Sequence, residues 1–342
     1  MAGEPLIQDP LGVLCVLAAV LAGLFTLDRH ARLGRIFKVV PLIVFAYFVP
    51  AALSNFGLIP IQAPLYETIK DWLLPASLIL LTLSVDIPAI LRLGPIALVL
   101  FFAATTSIVL GGPLAYLLLG WLVPAEMGEE AWKGLAALSG SWIGGGANFV
   151  AIGRGVGIQD ATLGMMVVVD VAVANVWMAV LFFFAGREKS MDESLGADRT
   201  QIDALRLKVE RLQASIARHT GLPDLLQIVA ISLGGTAVAT AIARRLPEIG
   251  DIISRFTWVV MLVTVIGVGL SFTRVRGLEG AGASRVGSLF LYLLIASIGA
   301  HADFRKLAGA PAMVAVGARW MAFHAATMLL VRRRMKAPIF FA

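Results

Sequence analysis

Long apolar runs recur along this chain, and they limit its fold more than any other feature. One of them is "PIALVLFFAATTSIVLGGPLAYLLL", residues 95–119. A run of 18 or more such residues can cross a hydrocarbon core roughly 30 Å thick as an α-helix. Hydrophobic residues make up 59% of the chain and charged residues 15%, a balance that excludes a soluble domain. We therefore expect an all-α, polytopic protein of the bacterial inner or plasma membrane.

The hydropathy pattern predicts about ten transmembrane helices. Their approximate ranges are 11–28, 37–55, 73–91, 95–121, 133–153, 161–186, 224–243, 253–272, 286–302 and 308–331. The chain divides into three segments: a first transmembrane repeat (1–186), a polar linker with an amphipathic helix (187–223) and an incomplete second repeat (224–342).

The charges lie at helix ends. The first apolar run is followed by basic residues and not by a cleavage site, so it reads as a retained helix. The net charge of +6 fits orientation by the positive-inside rule, and we expect lipid contacts and no nucleic acid. A single cysteine, Cys15, excludes an intrachain disulfide and a Cys-based metal site.

Within the linker, apolar residues at 3-4-3-4 spacing form one stripe along a predicted helix. They are Ile202, Leu205, Val209, Leu212 and Ile216. Two heptads are too few for a coiled coil. The pattern favours a helix lying on the membrane or on the protein, and homodimerisation through the stripe is the alternative.

The chain also looks internally duplicated. In "LILLTLSVDIPAILRLGP" from residue 78 and "YLLIASIGAHADFRKLAGAP" from residue 292, an apolar helix precedes an Asp (Asp86, Asp303), a basic turn and a Pro that opens another helix. "LSNFGLIP" at 53–60 similarly matches "LSFTRVRG" at 270–277. Helices 1–4 thus match helices 7–10, and such repeats are characteristic of secondary transporters. The pattern calls for a second glycine-rich helix after "RRRMKAPIFFA", so we expect a truncated chain in preference to a degenerate second half.

The orientation of the two repeats is open at this stage. Inverted repeats need an odd number of crossings between matching helices, and the ten-helix count gives six. The positive-inside rule nevertheless favours a cytoplasmic linker, together with the basic residues near 274–285 and 332–336, which makes the halves inverted. Either one segment is miscounted or the repeats are parallel.

The segment "SGSWIGGGANFVAIGRGVG", residues 139–157, is rich in glycine where a membrane helix is predicted. Gly140 and Gly144 alone would suit close helix packing. The successive Gly144, Gly145 and Gly146 predict a broken helix instead, since each weakens it by roughly 1 kcal/mol relative to alanine. The break would direct backbone dipoles at an ion or polar solute, with Ser139, Ser141 and Asn148 beside it.

The next helix carries one acidic residue, Asp170, roughly 13 Å from its start and near the bilayer midplane. An ionisable group at that depth costs at least about 2.5 kcal/mol and indicates a functional site, with structural pairing as the alternative. Asn175 follows loosely on the same side. In the tenth helix, Arg319 would pair with Asp170, contact an anionic substrate or form a structural ion pair, whereas His324 suits packing.

The motif "SGSWIGGGANFVAI", followed by a helix with a central Asp, resembles the YjcL-like family of bacterial membrane proteins, a domain of unknown function. "FGLIP", "LPASLILL" and "RRRMKAPIFF" fit the same pattern, and the resemblance extends over nearly the whole chain. That family is similar to the superfamily of cation:proton antiporters and bile-acid:sodium symporters. The relation implies crossed, discontinuous helices from two inverted repeats and an ion site at Asn148 and Asp170.

These observations favour a secondary active transporter coupled to Na⁺ or H⁺, without a cofactor and with a small polar or anionic solute as substrate. A non-transporting scaffold or sensor is the first alternative, with the linker helix as its partner-binding element. An intramembrane enzyme is the second, although the sequence contains no HExxH, Gly-x-Gly-Asp or Gly-x-Ser-Gly motif.

Overall fold

The computed structural model describes residues 4–85, 87, 94–185, 188–195, 220–249, 253–302 and 310–339. The helices of these residues are α1 (Pro10–Asp28), α2 (Gly34–Val39), α3 (Leu42–Asn55), α4 (Pro64–Leu83), α5 (Pro95–Leu119), α6 (Glu130–Gly144), α7 (Gly146–Gly155), α8 (Asp160–Ala185), α9 (Glu188–Leu195), α10 (Leu222–Ala243), α11 (Arg255–Ser271), α12 (Ala283–His301) and α13 (Ala310–Met335). Short 3₁₀ helices occupy Gly120–Leu122, Ala125–Met127 and Arg274–Ala281. The predicted all-α class is confirmed for this part of the chain.

Six of the described helices are long and apolar enough to cross a membrane, or seven if α11 and the 3₁₀ helix after it, bent by 95°, form one span. The six segments are Pro10–Asp28, Pro95–Leu122, Asp160–Met178, Leu222–Ala243, Ala283–His301 and Pro311–Met335. They agree with the predicted multi-pass architecture. The predicted total of ten spans remains a prediction. The amphipathic stripe over 202–216, Asp86 and Asp303 lie outside the described residues.

The glycine-rich segment departs from the single helix predicted over 133–153. The predicted break is present, since α6 ends at Gly144 and Gly145 adopts φ +85°. The two halves then fold back on each other: a Cβ on Gly140 would lie 2.7 Å from the Asn148 carbonyl oxygen, and one on Gly153 would lie 3.3 Å from Cβ of Ala137. Residues so far apart in sequence meet only if the chain reverses, so α6 and α7 form an antiparallel helical hairpin.

Glycine explains both the turn and the packing of this hairpin. The φ of +85° with ψ −175° at Gly145 belongs to a region that is essentially restricted to glycine. Gly140 lets the two helices approach each other, because a Cβ there would overlap the Asn148 carbonyl oxygen of α7. At Gly153 a Cβ would be crowded by Leu163, Ile158 and, at 3.3 Å, Ala137 of α6. The sequence predicts a break, whereas the structure shows that the chain turns back at Gly145 and that these two glycines accommodate the packing.

The chain divides into two compact units. The first contains residues 1–85, 127–171 and 220–310, and the second contains 86–126, 172–219 and 311–342. Helix α8 contributes its first part to one unit and its second part to the other.

Helices α4 and α12 form the centre of the first unit, and they run antiparallel. Gly287, near the start of α12, packs against the end of α4, where its Cβ would lie 3.0 Å from Cβ of Leu80. At the opposite end, the His301 ring of α12 lies beside the Tyr66 ring of α4, with centroids 6.1 Å apart. Consecutive residues of both helices are buried, 74–80 and 294–300, so each is surrounded by protein over about two turns.

The helices around this pair occur in matching positions. Helix α3 packs against α12, where Gly299 allows the backbone of Tyr47 to approach. Helix α11 packs against α4, where Gly267 receives Thr82. Helices α1 and α10 flank α3 and α11 respectively. The six helices therefore form two matching sets, α1, α3 and α4 and α10, α11 and α12. Each packed pair has a counterpart in which every helix is replaced by its match in the other set.

A pair of hydrogen bonds repeats in the same way. Near the end of α3, the buried Ser54 donates its hydroxyl to the carbonyl of Ala51 at 3.0 Å. At the end of α11, the buried Ser271 donates to the carbonyl of Val268 at 2.6 Å. The shift along the chain that aligns Asp86 with Asp303 also aligns Ser54 with Ser271 and Ala51 with Val268. The proposed duplication is thus accompanied by a repeated hydrogen bond.

The second unit has its own packing. Trp320 of α13 is buried and donates its indole N–H to the carbonyl of Ile108 in α5 at 2.9 Å. Gly111 and Gly112 make room for its ring. At the end of α13, Arg332 pairs with the fully buried Asp192 of α9 at 2.9 Å. These contacts fix α9 and α13 to the same unit.

Candidate functional site

Asp170 meets the tip of the α6–α7 hairpin. Its carboxylate accepts a hydrogen bond from the Ser141 hydroxyl at 2.6 Å and another from the Trp142 indole N–H at 2.7 Å. Both donors belong to the last turn of α6, immediately before the break. The structure therefore brings together two elements that the sequence places in one site, the glycine-rich segment and the acidic residue of the next helix.

The environment of Asp170 is polar and, among the described residues of the first unit, contains no cation paired with it. The side chain is half-buried, and neither of its two donors carries a charge. None of the salt bridges in the described part of that unit involves Asp170. Asp170 is the eleventh residue of α8, which places it roughly 15 Å from the helix start at 1.5 Å per residue. The arrangement stabilises a negative charge and leaves it electrostatically open to a cation.

Backbone groups add to this polarity. The last carbonyls of α6 and the first N–H groups of α7 lie at the tip, where intrahelical partners run out. The opposite partial charges of the two helix ends thus meet around Gly145. Gly144 and Gly145 are exposed, so the described part of the protein does not cover the backbone there.

Two further residues predicted for the site belong to the hairpin without contacting the carboxylate. The Ser139 hydroxyl donates to the carbonyl of Ala136, at 2.6 Å, in its own helix. Asn148 lies on the first turn of α7, and its Nδ2 sits over Gly144, where a Cβ would come within 1.7 Å of it. Asn148 is therefore at the tip but is not a hydrogen-bond donor to Asp170. Trp142 is a donor that the sequence prediction does not include.

The other two predicted site residues belong to the second unit. Asn175 is exposed on α8, five residues after Asp170. Arg319 is exposed on α13 and lines a cavity of about 190 Å³ with Leu118 and Phe323. Its pairing with Asp170 stays a prediction. His324 accepts or donates a hydrogen bond with Ser107 at 2.7 Å, in agreement with its predicted packing role.

A second charged cluster, which the sequence prediction lacks, lies at the base of the hairpin. Asp160 opens α8 and forms an ion pair with Arg154 of α7. Its other carboxylate oxygen lies 2.7 Å from Nδ1 of His301. The Asp160 side chain is only 10% exposed and that of Arg154 14%, so both charges are largely withdrawn from solvent. A carboxylate at a helix N-terminus also interacts favourably with the helix dipole.

Two tyrosines border this cluster. Tyr47 of α3 donates its hydroxyl to the backbone carbonyl of Asp160 at 2.9 Å. Gly164 makes room for that hydroxyl, which would lie 1.8 Å from a Cβ there. Tyr66 donates to the carbonyl of Pro60 at 2.7 Å. Burial raises the pKa of Tyr66 to about 12, so its hydroxyl keeps its proton at neutral pH.

Among the described residues, no group of three or more His, Cys, Asp or Glu is arranged to hold a metal ion. The hairpin tip offers a different set of ligands, made of one carboxylate, a hydroxyl and backbone carbonyls. Hard oxygen ligands of this kind suit alkali or alkaline-earth cations and not thiophilic metals.

Comparisons with known proteins agree with the membrane class. The chain is 26% identical over 271 residues to a protein of Bacillus subtilis (strain 168) called "Uncharacterized membrane protein YjcL". That similarity covers 74% of this chain and 64% of the relative, so the chain spans somewhat less than two thirds of it. No solved structure matches.

The family match covers more of the chain. Residues 13–341 match the family described as "Protein of unknown function (DUF819)". Together with the relative and the apolar helices, this match identifies a multi-pass membrane protein. The chain belongs to the DUF819 family.

Proposed function

We propose that this protein is a secondary active transporter coupled to Na⁺ or H⁺, with a small organic anion as its substrate. The coupling ion binds at the hairpin tip, on Asp170 and the oxygen atoms beside it. The observation that carries the proposal is the pair of neutral hydrogen bonds from Ser141 and Trp142 to a carboxylate deep in a membrane-spanning helix.

The energetics of a charge within the membrane support this role. An ionised carboxylate at that depth is costly, and proteins compensate it with a partner or use it. Ser141 and Trp142 lower the cost without removing the charge, whereas a cation or a proton neutralises it. Binding and release of one positive charge would therefore change the stability of this contact, which is what coupling requires.

The shape of the hairpin is a second support. Helix α6 has 15 residues and α7 has 10, so they extend roughly 22 and 15 Å. Both are shorter than a hydrocarbon core of roughly 30 Å. A hairpin of this size ends within the membrane, where an exposed, irregular backbone is tolerated only if it lines a watery cavity or packs in protein. Re-entrant elements of this kind suit an ion pathway.

Inverted repeats are the third support. The ten-helix count gives six crossings between matching helices, and one of them is the segment that forms the hairpin. Because the hairpin returns to the side of the membrane from which it enters, that crossing is removed. Five crossings remain, an odd number. The antiparallel packing of α4 and α12, the third matching pair, agrees with that parity. Repeats related by an axis in the membrane plane are common in secondary transporters.

This topology also agrees with the basic residues. With 28–38 in the cytoplasm and a non-crossing hairpin, the linker after α8 becomes cytoplasmic. The segments near 274–285 and 332–336 then fall on the same side. The ten-helix count places 28–38 opposite the other three basic segments, whereas the non-crossing hairpin brings all four to one side, as the positive-inside rule favours.

Cysteine labelling tests the topology. Single cysteines replace Glu129 and Gln159, which are exposed at the two ends of the hairpin, and Ser194, exposed on α9, in a Cys15→Ala background. A membrane-impermeant maleimide should label the first two from one side of the membrane and the third from the other. Labelling of positions 129 and 159 from opposite sides would show a crossing segment and remove this support.

Ion flux tests the function. The full-length protein in proteoliposomes, with a pH- or Na⁺-sensitive dye and a panel of small organic anions, should show substrate-dependent ion movement. Asp170→Asn should abolish it, while Glu126→Gln, a change at an exposed carboxylate, should leave it intact. Equal flux in the wild type and Asp170→Asn would reject the proposed site.

A further inference from the structure

A cleft in the first unit, away from the hairpin, has the properties of a lipid site. It has a volume of about 800 Å³ and lies between α4, α10 and α11. The part contributed by α10 extends from Leu233 to Arg244, which is three turns of one helix face and roughly 16 Å long. None of the residues that line it belongs to the proposed ion site.

The cleft is amphipathic along its length. Leu233, Ala237 and Ala241 of α10 and Val259 of α11 form an apolar wall, and the small alanines leave the space. Both arginines of the cleft lie at one end, Arg244 directly after α10 and Arg255 at the start of α11. Helix α10 is a candidate span from Leu222 to Ala243, so this end coincides with the membrane–water interface.

The charges at that end favour an anion. In the described part of the chain, the side chains of Arg244 and Arg255 take part in no ion pair, and both are exposed. Asp71 is the acidic residue of the lining, and the Glu248 carboxylate accepts the backbone N–H of Arg255 at 3.3 Å, which leaves the guanidinium of Arg255 available. Guanidinium groups bind phosphate oxygens in a bidentate manner. Two guanidinium groups at one end of the cleft therefore fit a single phosphodiester.

We propose that this cleft binds an anionic phospholipid, with its phosphodiester between Arg244 and Arg255 and an acyl chain along Ala237 and Ala241. The apolar wall is the reason to choose a lipid over a free anion. A soluble phosphate would contact the arginines and leave the apolar side chains that share the groove with Thr236 and Thr240 uncovered. Only about a fifth of the apolar window of α10 is buried in the protein (22%), so lipid reaches the cleft from the bilayer.

The test measures lipid binding by native mass spectrometry of the purified full chain, titrated with phosphatidylglycerol and phosphatidylcholine. The wild type should retain phosphatidylglycerol about tenfold more tightly. The double variant Arg244→Gln/Arg255→Gln should reduce this preference to less than about twofold. Arg245→Gln is the matched control, because Arg245 is the exposed neighbour outside the cleft lining, and it should keep the preference. An unchanged preference in the double variant would overturn the proposal.

A second pair of variants tests the acyl chain. Ala241→Leu fills the groove and should weaken phosphatidylglycerol binding, whereas Ala230→Leu, on an exposed position of α10 outside the cleft, should not. Inorganic phosphate in excess should fail to displace the lipid. Displacement by phosphate together with normal binding to Ala241→Leu would identify a site for a soluble anion and refute the lipid proposal. Thermal unfolding of each variant shows whether it is folded.

Discussion

Asp160 and Asp170 belong to one helix, yet their surroundings differ in kind. Asp160 lies between the Arg154 guanidinium and the His301 imidazole at the base of the hairpin. Among the residues that the structure describes, Asp170 at the tip accepts hydrogen bonds from the neutral donors Ser141 and Trp142. In the described part of the chain, the first carboxylate has a charged partner and no ion pair involves the second. Under the proposed function, the first charge holds the hairpin in place and the second receives the coupling ion.

The largest effect should come from removing the compensated charge. Asp160→Asn leaves the Arg154 guanidinium largely buried without its counter-ion, which typically costs 3–5 kcal/mol, so we expect a loss of about that size in unfolding free energy. Asp170→Asn should change it by less than about 1 kcal/mol. The single amide oxygen keeps one of the two hydrogen bonds, and removing a costly charge from the membrane offsets the loss of the other. Unfolding of both variants in detergent measures the difference.

A double-mutant cycle serves as control for that comparison. Adding Arg154→Gln to Asp160→Asn should recover part of the loss, since the two residues interact directly. If Asp170→Asn proved the more destabilising of the two single variants, the division into a structural and a functional carboxylate would be wrong.

The next effect concerns the turn between the two sites. Gly145→Ala forces a side chain into a backbone region that is nearly exclusive to glycine, at a cost of about 1–3 kcal/mol. We expect a matching loss of stability and reduced ion flux, because the hairpin tip would shift away from Asp170. In the control Gly234→Ala, an added Cβ meets nothing within 4 Å in the middle of α10, and the helix should gain about 0.5–1 kcal/mol. Full flux with Gly145→Ala would show that the turn geometry is dispensable.

The smallest effect distinguishes two serines on the same helix. Ser141→Ala removes a charge-assisted hydrogen bond that competes with the coupling ion for the Asp170 carboxylate, so it should raise the apparent affinity for that ion about tenfold, equivalent to about 1.4 kcal/mol. Ser139→Ala removes a bond within α6 only and should change it less than about twofold. Dose–response curves of flux against ion concentration measure both, and equal affinities would count against the tip as the binding site.

The sequence predicts this tip rather well because its signals are local. Three successive glycines indicate a break, and the acidic residue of the following helix stands out by its depth. The direction of the chain after the break is harder to predict. Gly140 and Gly153 indicate close helix packing, but the sequence does not show whether they pack within the hairpin or against another helix. Trp142 is missed because an indole is counted as apolar, although its N–H is a donor.

The base of the hairpin is harder to predict because its partners are distant in sequence. Asp160, Arg154 and His301 each lie at a helix end, where charged residues are ordinary and suggest an interfacial position. Only the fold brings α12 beside the start of α8. The antiparallel arrangement of α4 and α12 likewise needs coordinates, since a duplicated sequence is compatible with parallel and inverted repeats.

The position of the two donors has a consequence for how such a site would switch. Ser141 and Trp142 are consecutive residues on one rigid helical turn, so a small movement of that turn lengthens both hydrogen bonds together. Asp170 would then lose its two protein donors in a single step and turn to water or a cation. Ion occupancy of Asp170 and the position of the hairpin would then change together, without an intermediate in which one of the two hydrogen bonds is broken and the other remains.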